Sequence, residues 1–364
     1  MSNEPESIVL GKRSVSVGGR PYIIAEIGVN HEGSMAQAKQ LIDLAKEGGA
    51  DAAKFQTYKA NRLAARNSPA YWDTTKETTT SQYKLFQKYD AFDADDYEVL
   101  ADYCERVEID FLSTPFDSEA VEFLNPRIPF FKVASADITN VPLLRQIGEK
   151  GKPVVLSTGA STKAEIDFAL GTLEQVGSNK NILMHCVLNY PTPNKLAHLR
   201  MIEGMQSTYP NHLVGYSDHT LPDDCMLSLI VAYLKGSVVL EKHFTHDKTL
   251  PGNDHYHAMD VSDLRRLVAS IQEIEVLVGT LSEKCPVEGE EISRHNARRS
   301  IVLAKSIKAG ARLREKDLTC KRPAHGVCPS NWDSVIGTVA ARDLLEDHIL
   351  QWDDLEMEIR KGET

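Results

Sequence analysis

The 364-residue chain has no run of about 18 apolar residues, so no segment has the length and hydropathy of a membrane span. Cysteines are few and scattered. Cys104, Cys186, Cys225, Cys285, Cys320 and Cys328 lack CxxC spacing, which speaks against a zinc knot or a disulfide frame and for reduced thiols. Positive charge is also short: 41 Lys and Arg against 52 Asp and Glu give a formal net charge of −11. No basic stripe of the kind that marks nucleic-acid binding is visible. The opening residues Met1-Ser2-Asn3-Glu4-Pro5-Glu6 are polar and acidic, unlike a secretory signal. These absences predict a cytoplasmic protein with neither nucleic acid nor membrane as a partner. An acidic chain that binds an anion must gather its cations locally, so lysines inside apolar segments carry the most information.

Short runs rich in Val, Ile, Leu and Phe recur eight times, at 22–28, 52–58, 110–116, 130–135, 153–159, 181–187, 212–218 and 237–244. Continuous apolar runs of this length are what parallel strands buried on both faces require. Helical periodicity fills most gaps. Ala38, Leu41, Ile42 and Ala45 share one face of 35–47, and Tyr97, Leu100, Ala101 and Cys104 share one face of 93–107. Ser161-Thr162-Lys163-Ala164-Glu165 offers a capping signal before a helix at 166–176. Eight βα units in series predict a (β/α)8 TIM barrel, with an open doubly wound sheet as the alternative. A hairpin at 8–20, turning at Gly18-Gly19, is expected to plug the barrel's bottom. The stretch 59–91 is too long for an ordinary βα loop and reads as a partly ordered lid or interface arm.

Beyond Leu281 the texture changes. Expected domains are a barrel at 1–284 with its N-terminal hairpin, a charged linker at 285–295 and a small β-rich module at 296–364, with β segments at 300–303, 319–321, 335–339 and 349–352. Within the module, the stretch from Ala304 to Leu318 aligns without gaps to that from Ala341 to Leu355. Ile307 matches Leu344, Leu313 matches Leu350 and Asp317 matches Asp354, which predicts two copies of one hook-like unit.

Barrel enzymes place their chemistry at the carboxyl ends of the strands. Glu26 lies in an otherwise apolar first strand, where a carboxylate is costly unless paired, so it is either an acid/base group or half of a structural ion pair. Lys54 and Lys132 lie in the second and fourth strands, and two such lysines make a strong local anion site. Thr114, Ser135 and Ser157 add hydroxyls around the same mouth. After the sixth strand comes Tyr190, a possible partner for a polar substrate, while Cys186 reads as core. The seventh and eighth strands supply Ser217, His219 and His243, and the next loop brings Asp254, His255 and His257. Two histidines with room for water and substrate fit an open, Lewis-acid type of metal site.

Ala25-Glu26-Ile27-Gly28-Val29-Asn30-His31-Glu32-Gly33, Lys54-Phe55-Gln56, Ser113-Thr114-Pro115-Phe116, Leu156-Ser157-Thr158-Gly159, Tyr190-Pro191-Thr192-Pro193, Tyr216-Ser217-Asp218-His219 and Glu241-Lys242-His243-Phe244 come in the order seen in the sialic acid synthase family, which this chain resembles over nearly its whole length. The terminal module, with Lys321-Arg322-Pro323, resembles the antifreeze-like SAF domain, a β-clip fold. The resemblance implies a metal-dependent transferase that joins phosphoenolpyruvate to an N-acylated aminohexose. It implies that Lys54, Thr114, Lys132, Ser135, Ser157 and Ser217 hold the phosphate and carboxylate. His219 and His243 would bind manganese or magnesium, and Glu26 would serve proton transfer. Gln56, Tyr190 and Asp254 would face the sugar or a metal-bound water. Arg322 would reach the partner's mouth in a homodimer with exchanged SAF domains.

Three positions depart from the family pattern: Leu188 replaces an asparagine, Asp137 a glutamate and Asn253 a proline. They leave the acceptor open among N-acetylmannosamine, a diacetamido-trideoxyhexose and mannose. Two rival readings are a Schiff-base aldolase using Lys132 or Lys54, and a non-catalytic sugar-binding protein.

Overall fold

The computed structural model describes residues 7–72, 74–75, 77–252 and 254–356. They fall into two compact units that divide between Gly279 and Thr280.

The first unit opens with a hairpin, β1 (Ile8–Leu10) and β2 (Arg13–Val15), in antiparallel register with Leu10 opposite Arg13. Its turn is at Gly11-Lys12 and not at Gly18-Gly19, which form a separate turn after β2. Gly11 adopts a left-handed φ of 56°, and a side chain there would overlap the Asp110 carboxylate. Leu10 and Val15 enter the barrel core, and Arg13 Nη1 meets Asp51 Oδ1 at 2.6 Å. Asp51 and Asp110 stand at the amino ends of the second and third barrel strands, so the hairpin covers the bottom, as expected.

Eight parallel strands follow: β3 (Tyr22–Gly28), β4 (Ala52–Thr57), β5 (Asp110–Pro115), β6 (Phe131–Val133), β7 (Val154–Ser157), β8 (Asn181–Cys186), β9 (Leu213–Asp218) and β10 (Val239–His243). Their sheet order is β5-β4-β3-β10-β9-β8-β7-β6, and the two end strands β5 and β6 lie side by side, giving a nearly closed TIM-like barrel. All eight expected strands exist. Four are one residue shorter than their apolar runs and three are three residues shorter, trimmed at the amino ends as well as over the mouth.

Between the strands run α1 (Met35–Gly48), α2 (Ala60–Leu63), α3 (Gln82–Tyr89), α4 (Ala94–Arg106), α5 (Ser118–Leu124), α6 (Val141–Gly148), α7 (Lys163–Gln175), α8 (Arg200–Thr208), α9 (Leu227–Leu234) and α10 (Val261–Val278). Helices α4 and α7 begin with the capping boxes Asp93/Asp96 and Thr162/Glu165. The buried faces of α1 and α4 are those read from periodicity. Among the described residues no helix is long and apolar enough to cross a membrane, and all six cysteines are free thiols.

The second unit holds a short helix, α11 (Glu291–Ala297), then β11 (Ser300–Leu303) paired antiparallel to β12 (Leu318–Lys321), α12 (Trp332–Val335), and β13 (Val339–Ala340) paired to β14 (Leu355–Glu356). Two expected segments differ. The run 335–339 begins as the end of α12, and 349–352 carries only a bridge from Ile349 to Val302 before a 3-10 turn, Trp352–Asp354. Short apolar runs between polar turns do not separate a strand from one helical turn.

The repeat is structural. Ala304 N–H donates to Asp317 O, and Ala341 N–H to Asp354 O, both at 2.9 Å. Ile307 and Leu344 exchange both backbone bonds with each other at 2.8 Å. Asp317 and Asp354 are both buried, and each accepts from the backbone N–H three residues earlier, Arg314 and Gln351.

Gly215 on β9 leaves room under the site: a Cβ there would strike Met184 Sδ and come within 2.7 Å of Val239 O. Gly215→Ala is expected to cost about 1–3 kcal/mol through overpacking. Urea unfolding followed by circular dichroism checks this, and an unchanged midpoint would refute it.

Candidate functional site

Strand alternation turns residues i and i+2 to the same face, so Lys54 with Gln56, Ser217 with His219, and Glu241 with His243 all project into the barrel. They line one cavity of about 420 Å³ together with Glu26, Thr114, Lys132, Ser135, Asp137, Ser157 and Tyr190. Asp254 lines an adjoining recess that shares Gln56, Tyr190 and His243 with the main cavity. His255 lines that recess too, whereas His257 is fully buried and lines neither. Arg322 is an exposed residue just after β12 in the second unit. Asn253 lies outside the described residues.

A buried network of two cations and two carboxylates forms the floor. Lys54 Nζ lies 2.5 Å from Glu26 Oε2 and 3.6 Å from Glu241 Oε2, and donates to Thr114 Oγ1 at 3.1 Å. Lys132 Nζ lies 3.6 Å from Glu241 Oε1 and donates to Ser157 Oγ at 2.7 Å. Ser217 Oγ donates to Glu241 Oε1 at 2.9 Å, and Gln56 Nε2 to Glu26 Oε1 at 2.8 Å. Ser135 Oγ accepts from Gly159 N–H at 2.9 Å.

Burial raises the Glu26 carboxyl above its ordinary range, with Lys54 opposing and Glu241 adding to the shift. Burial would lower Lys54, but Glu241 and Glu26 outweigh it and hold this ammonium charged. Lys132 is lowered by burial, which Glu241 only partly offsets. Burial would raise Glu241, yet Lys132 and Lys54 bring it down to about 2.

Glu241 was not singled out from the sequence, although it sits inside a quoted motif. The period of two supplies the missing signal: Glu241 and His243 face inward, while Lys242 between them faces outward and pairs with Asp218 at 2.7 Å. Cys186, read as core, lines the cavity with Sγ 3.8 Å from His219 Nδ1, because β8 presents it on the inward face beside β9.

The candidate cation ligands gather on one side. His219 Nδ1 lies 2.8 Å from Val187 O, an acceptor only, so in the neutral ring Nδ1 carries the hydrogen and Nε2 keeps its lone pair. The rings of His219 and His243 are 5.6 Å apart, centre to centre. His243 Nδ1 is buried without a hydrogen-bond partner and lies 3.8 Å from Asp254 Oδ2. Burial, joined by His257, His219 and the lysines, pushes His243 well below the ordinary imidazole range, the neutral form that a metal requires. Ligand atoms of His243, Asp254 and His257 lie within 4.8 Å of one another. This donor set fits a divalent ion, and His257 enters it where the sequence reading had placed His219 and His243 alone.

A further part of the cavity wall is built from Asp137, Leu188, Tyr190 and residues of the segment between β4 and α4. Asp137 accepts from Asn140 Nδ2 at 3.0 Å, and burial raises its carboxyl. Leu188 is about one-third exposed on the wall. Leu63, Tyr71, Gln82 and Phe86 from the 59–91 stretch line the same cavity. The stretch is tied to itself where Trp72 Nε1 donates to Thr79 O at 3.1 Å and Lys88 pairs with buried Glu77 at 3.0 Å.

Removing Glu241's charge leaves two buried ammonium groups under-compensated. Glu241→Gln should destabilise the fold by about 3–5 kcal/mol at neutral pH. Its folded pKa lies below the ordinary 4.5, so the stability it contributes is present above 4.5 and is lost as pH falls toward about 2. The gap between wild type and variant in urea unfolding should therefore be widest above pH 4.5 and narrow below it. A gap that stays constant with pH would show that Glu241 is not the pinned anion.

Comparison with known proteins supplies the context. Residues 41–283 match the NeuB family and residues 298–356 match the SAF domain. An N,N'-diacetyllegionaminic acid synthase of Legionella pneumophila is 35% identical, covering 92% of this chain and 94% of the relative. A Campylobacter jejuni protein of the same name is 36% identical, over 91% of this chain and 99% of the relative. The crystal structure of N-acetylneuraminic acid synthetase from Leptospira borgpetersenii, in complex with citrate, superposes with a TM-score of 0.70 at 30% identity. It covers 80% of this chain and 95% of its own. The barrel, its order of motifs and these near full-length alignments make the chain a member of the NeuB family, carrying a SAF domain after its barrel.

Proposed function

We propose that the chain is a nonulosonic acid synthase that condenses phosphoenolpyruvate with an N-acylated aminohexose and releases inorganic phosphate. The observation that carries this reading is the convergence of buried Lys54 and Lys132, with Thr114, Ser157 and Ser217, on one barrel mouth. Two ammonium groups and three hydroxyls match a small substrate that bears both a phosphate and a carboxylate. Ser135, across the mouth, belongs to the same cradle. The names of the Legionella and Campylobacter relatives support the product class.

In this reading C3 of phosphoenolpyruvate attacks the sugar aldehyde, forming the C–C bond while the aldehyde oxygen takes up a proton. Water adds at C2 and loses a proton, and the tetrahedral adduct expels phosphate by C–O cleavage. Glu26, with its raised pKa and its oxygens fixed by Lys54 and Gln56, moves these protons. Lys54 and Lys132 offset charge on the departing phosphate without reorganising. A divalent cation, manganese or magnesium, held by His219 and His243 with Asp254 beside them, would polarise the aldehyde. Gln56, Tyr190 and Asp137 orient the sugar. The homodimer with exchanged SAF domains, Arg322 as a contact to the acceptor's N-acyl group and a cytoplasmic location belong to the same proposal. Against an aldolase that uses Lys54 stands its paired ammonium, which lacks the free lone pair that a Schiff base needs, and trapping with borohydride and pyruvate tests the same chemistry at Lys132.

Phosphate release from phosphoenolpyruvate should require both an aminohexose and a divalent cation. Activity that persists after exhaustive chelation would remove the metal from the reading. Lys54→Met and Lys132→Met should each weaken phosphoenolpyruvate binding by about 1.5–3 kcal/mol, seen as a raised KM, while the sugar's KM moves far less. An unchanged phosphoenolpyruvate KM in both variants would put the anion site elsewhere.

Leu188 offers no hydrogen bond where an amide would, and Asp137 is one methylene shorter than glutamate, so the wall accepts a bulkier, less polar substituent. A 6-deoxy diacetamido sugar is therefore the expected acceptor. Separate reactions with that sugar, N-acetylmannosamine and mannose, read by mass spectrometry, test it. A higher kcat/KM for N-acetylmannosamine would overturn the pocket reading.

A further inference from the structure

The loop that leaves β10 returns to the same strand end. Met259 N–H donates to His243 O at 2.8 Å, and Thr245 N–H donates to Met259 O at 2.9 Å. Phe244 and Met259 form a parallel bridge beside these bonds. Backbone pairing thus fixes the residues next to His257, and the imidazole it carries is fully buried with its ring centre 4.8 Å from that of His243. His243 itself lines the cavity.

We propose that His257 is a direct ligand of the divalent cation, adding a third imidazole to those of His219 and His243 with Asp254 beside them, and that this imidazole selects a first-row transition ion over magnesium. This rests on the cation-dependent reading above and deepens it. Two ligands at about 2.1 Å from one ion lie about 3.0 Å apart when adjacent and at most about 4.2 Å apart when opposite, so a cluster whose atoms lie within 4.8 Å of one another closes on the ion by drawing in by about an ångström or more. The His243-to-Asp254 separation of 3.8 Å already falls within the limit for opposite ligands. Magnesium prefers oxygen ligands and keeps several waters, whereas each added imidazole favours manganese, cobalt or zinc. Even with His219, His243, Asp254 and His257 all bound, an octahedral ion keeps positions for water and substrate, so the site stays open.

The test uses the full-length protein stripped by chelation, titrated with manganese and with magnesium by calorimetry, and loaded with cobalt for visible absorption spectroscopy. Wild type should bind manganese about tenfold or more tighter than magnesium. His257→Ala and His257→Gln should weaken manganese by about tenfold or more, move magnesium much less, and change the cobalt d–d bands. His257→Gln, polar and similar in size, keeps the test usable should the alanine variant fail to fold, and circular dichroism of the metal-free proteins checks folding. If the folded His257 variants keep wild-type manganese affinity and cobalt spectrum while His243→Ala loses both, His257 is not a ligand and the cation reading survives. Wild-type protein that binds no manganese at all overturns both.

Discussion

The barrel mouth depends on the position of one carboxylate. Lys54 and Lys132 come from strands separated around the barrel, and both are buried. Left alone, two ammonium groups in that environment would repel each other and lose their charge. Glu241, from a third strand, lies 3.6 Å from each, and its own pKa falls because of them. Glu26 takes the other side of Lys54. The arrangement keeps positive charge concentrated in a protein of net charge −11, and strand register fixes where that charge stands.

The opposite faces of the same strands carry a second buried pair. Lys242 and Asp218 meet at 2.7 Å with no exposed side-chain surface, and Tyr216, Thr220 and Ser228 complete the hydrogen bonding of Asp218. A pair so fully satisfied locks β9 to β10 outside the barrel, while Ser217 to Glu241 locks them inside. The two strands that present His219 and His243 are thereby held from both faces, and the spacing of the histidines follows from that.

Much of this was legible in the chain. Continuous apolar runs gave the strands, because burial on both faces leaves little room for polar residues. The strand-end lysines, Glu26 and the histidines were findable because each breaks such a run. Glu241 was harder: in Glu241-Lys242-His243 three polar residues stand in a row, and only the alternation of faces sorts the site from the barrel's outside. His257 was harder still, since its place beside His243 comes from a loop returning on itself, which local pattern does not encode. The hairpin turn went to Gly11 because the Asp110 carboxylate leaves no space there for a side chain, a tertiary constraint invisible in the Gly18-Gly19 pair.

The duplicated hook of the second unit has a consequence for how that unit comes apart. Its cross-bonds come in matched sets: Leu350 N–H donates to Ile301 O and Leu313 N–H to Thr338 O, while Asp347 N–H donates to Leu303 O and Gly310 N–H to Ala340 O. Each half therefore completes part of the other's backbone, beside the bonds that close each hook on itself. Neither hook can fray alone without stripping its twin, so the module opens and closes as a single cooperative step despite its small core. A proteolytic nick between the hooks would leave two fragments that stay clasped, as the two halves of a buckle do.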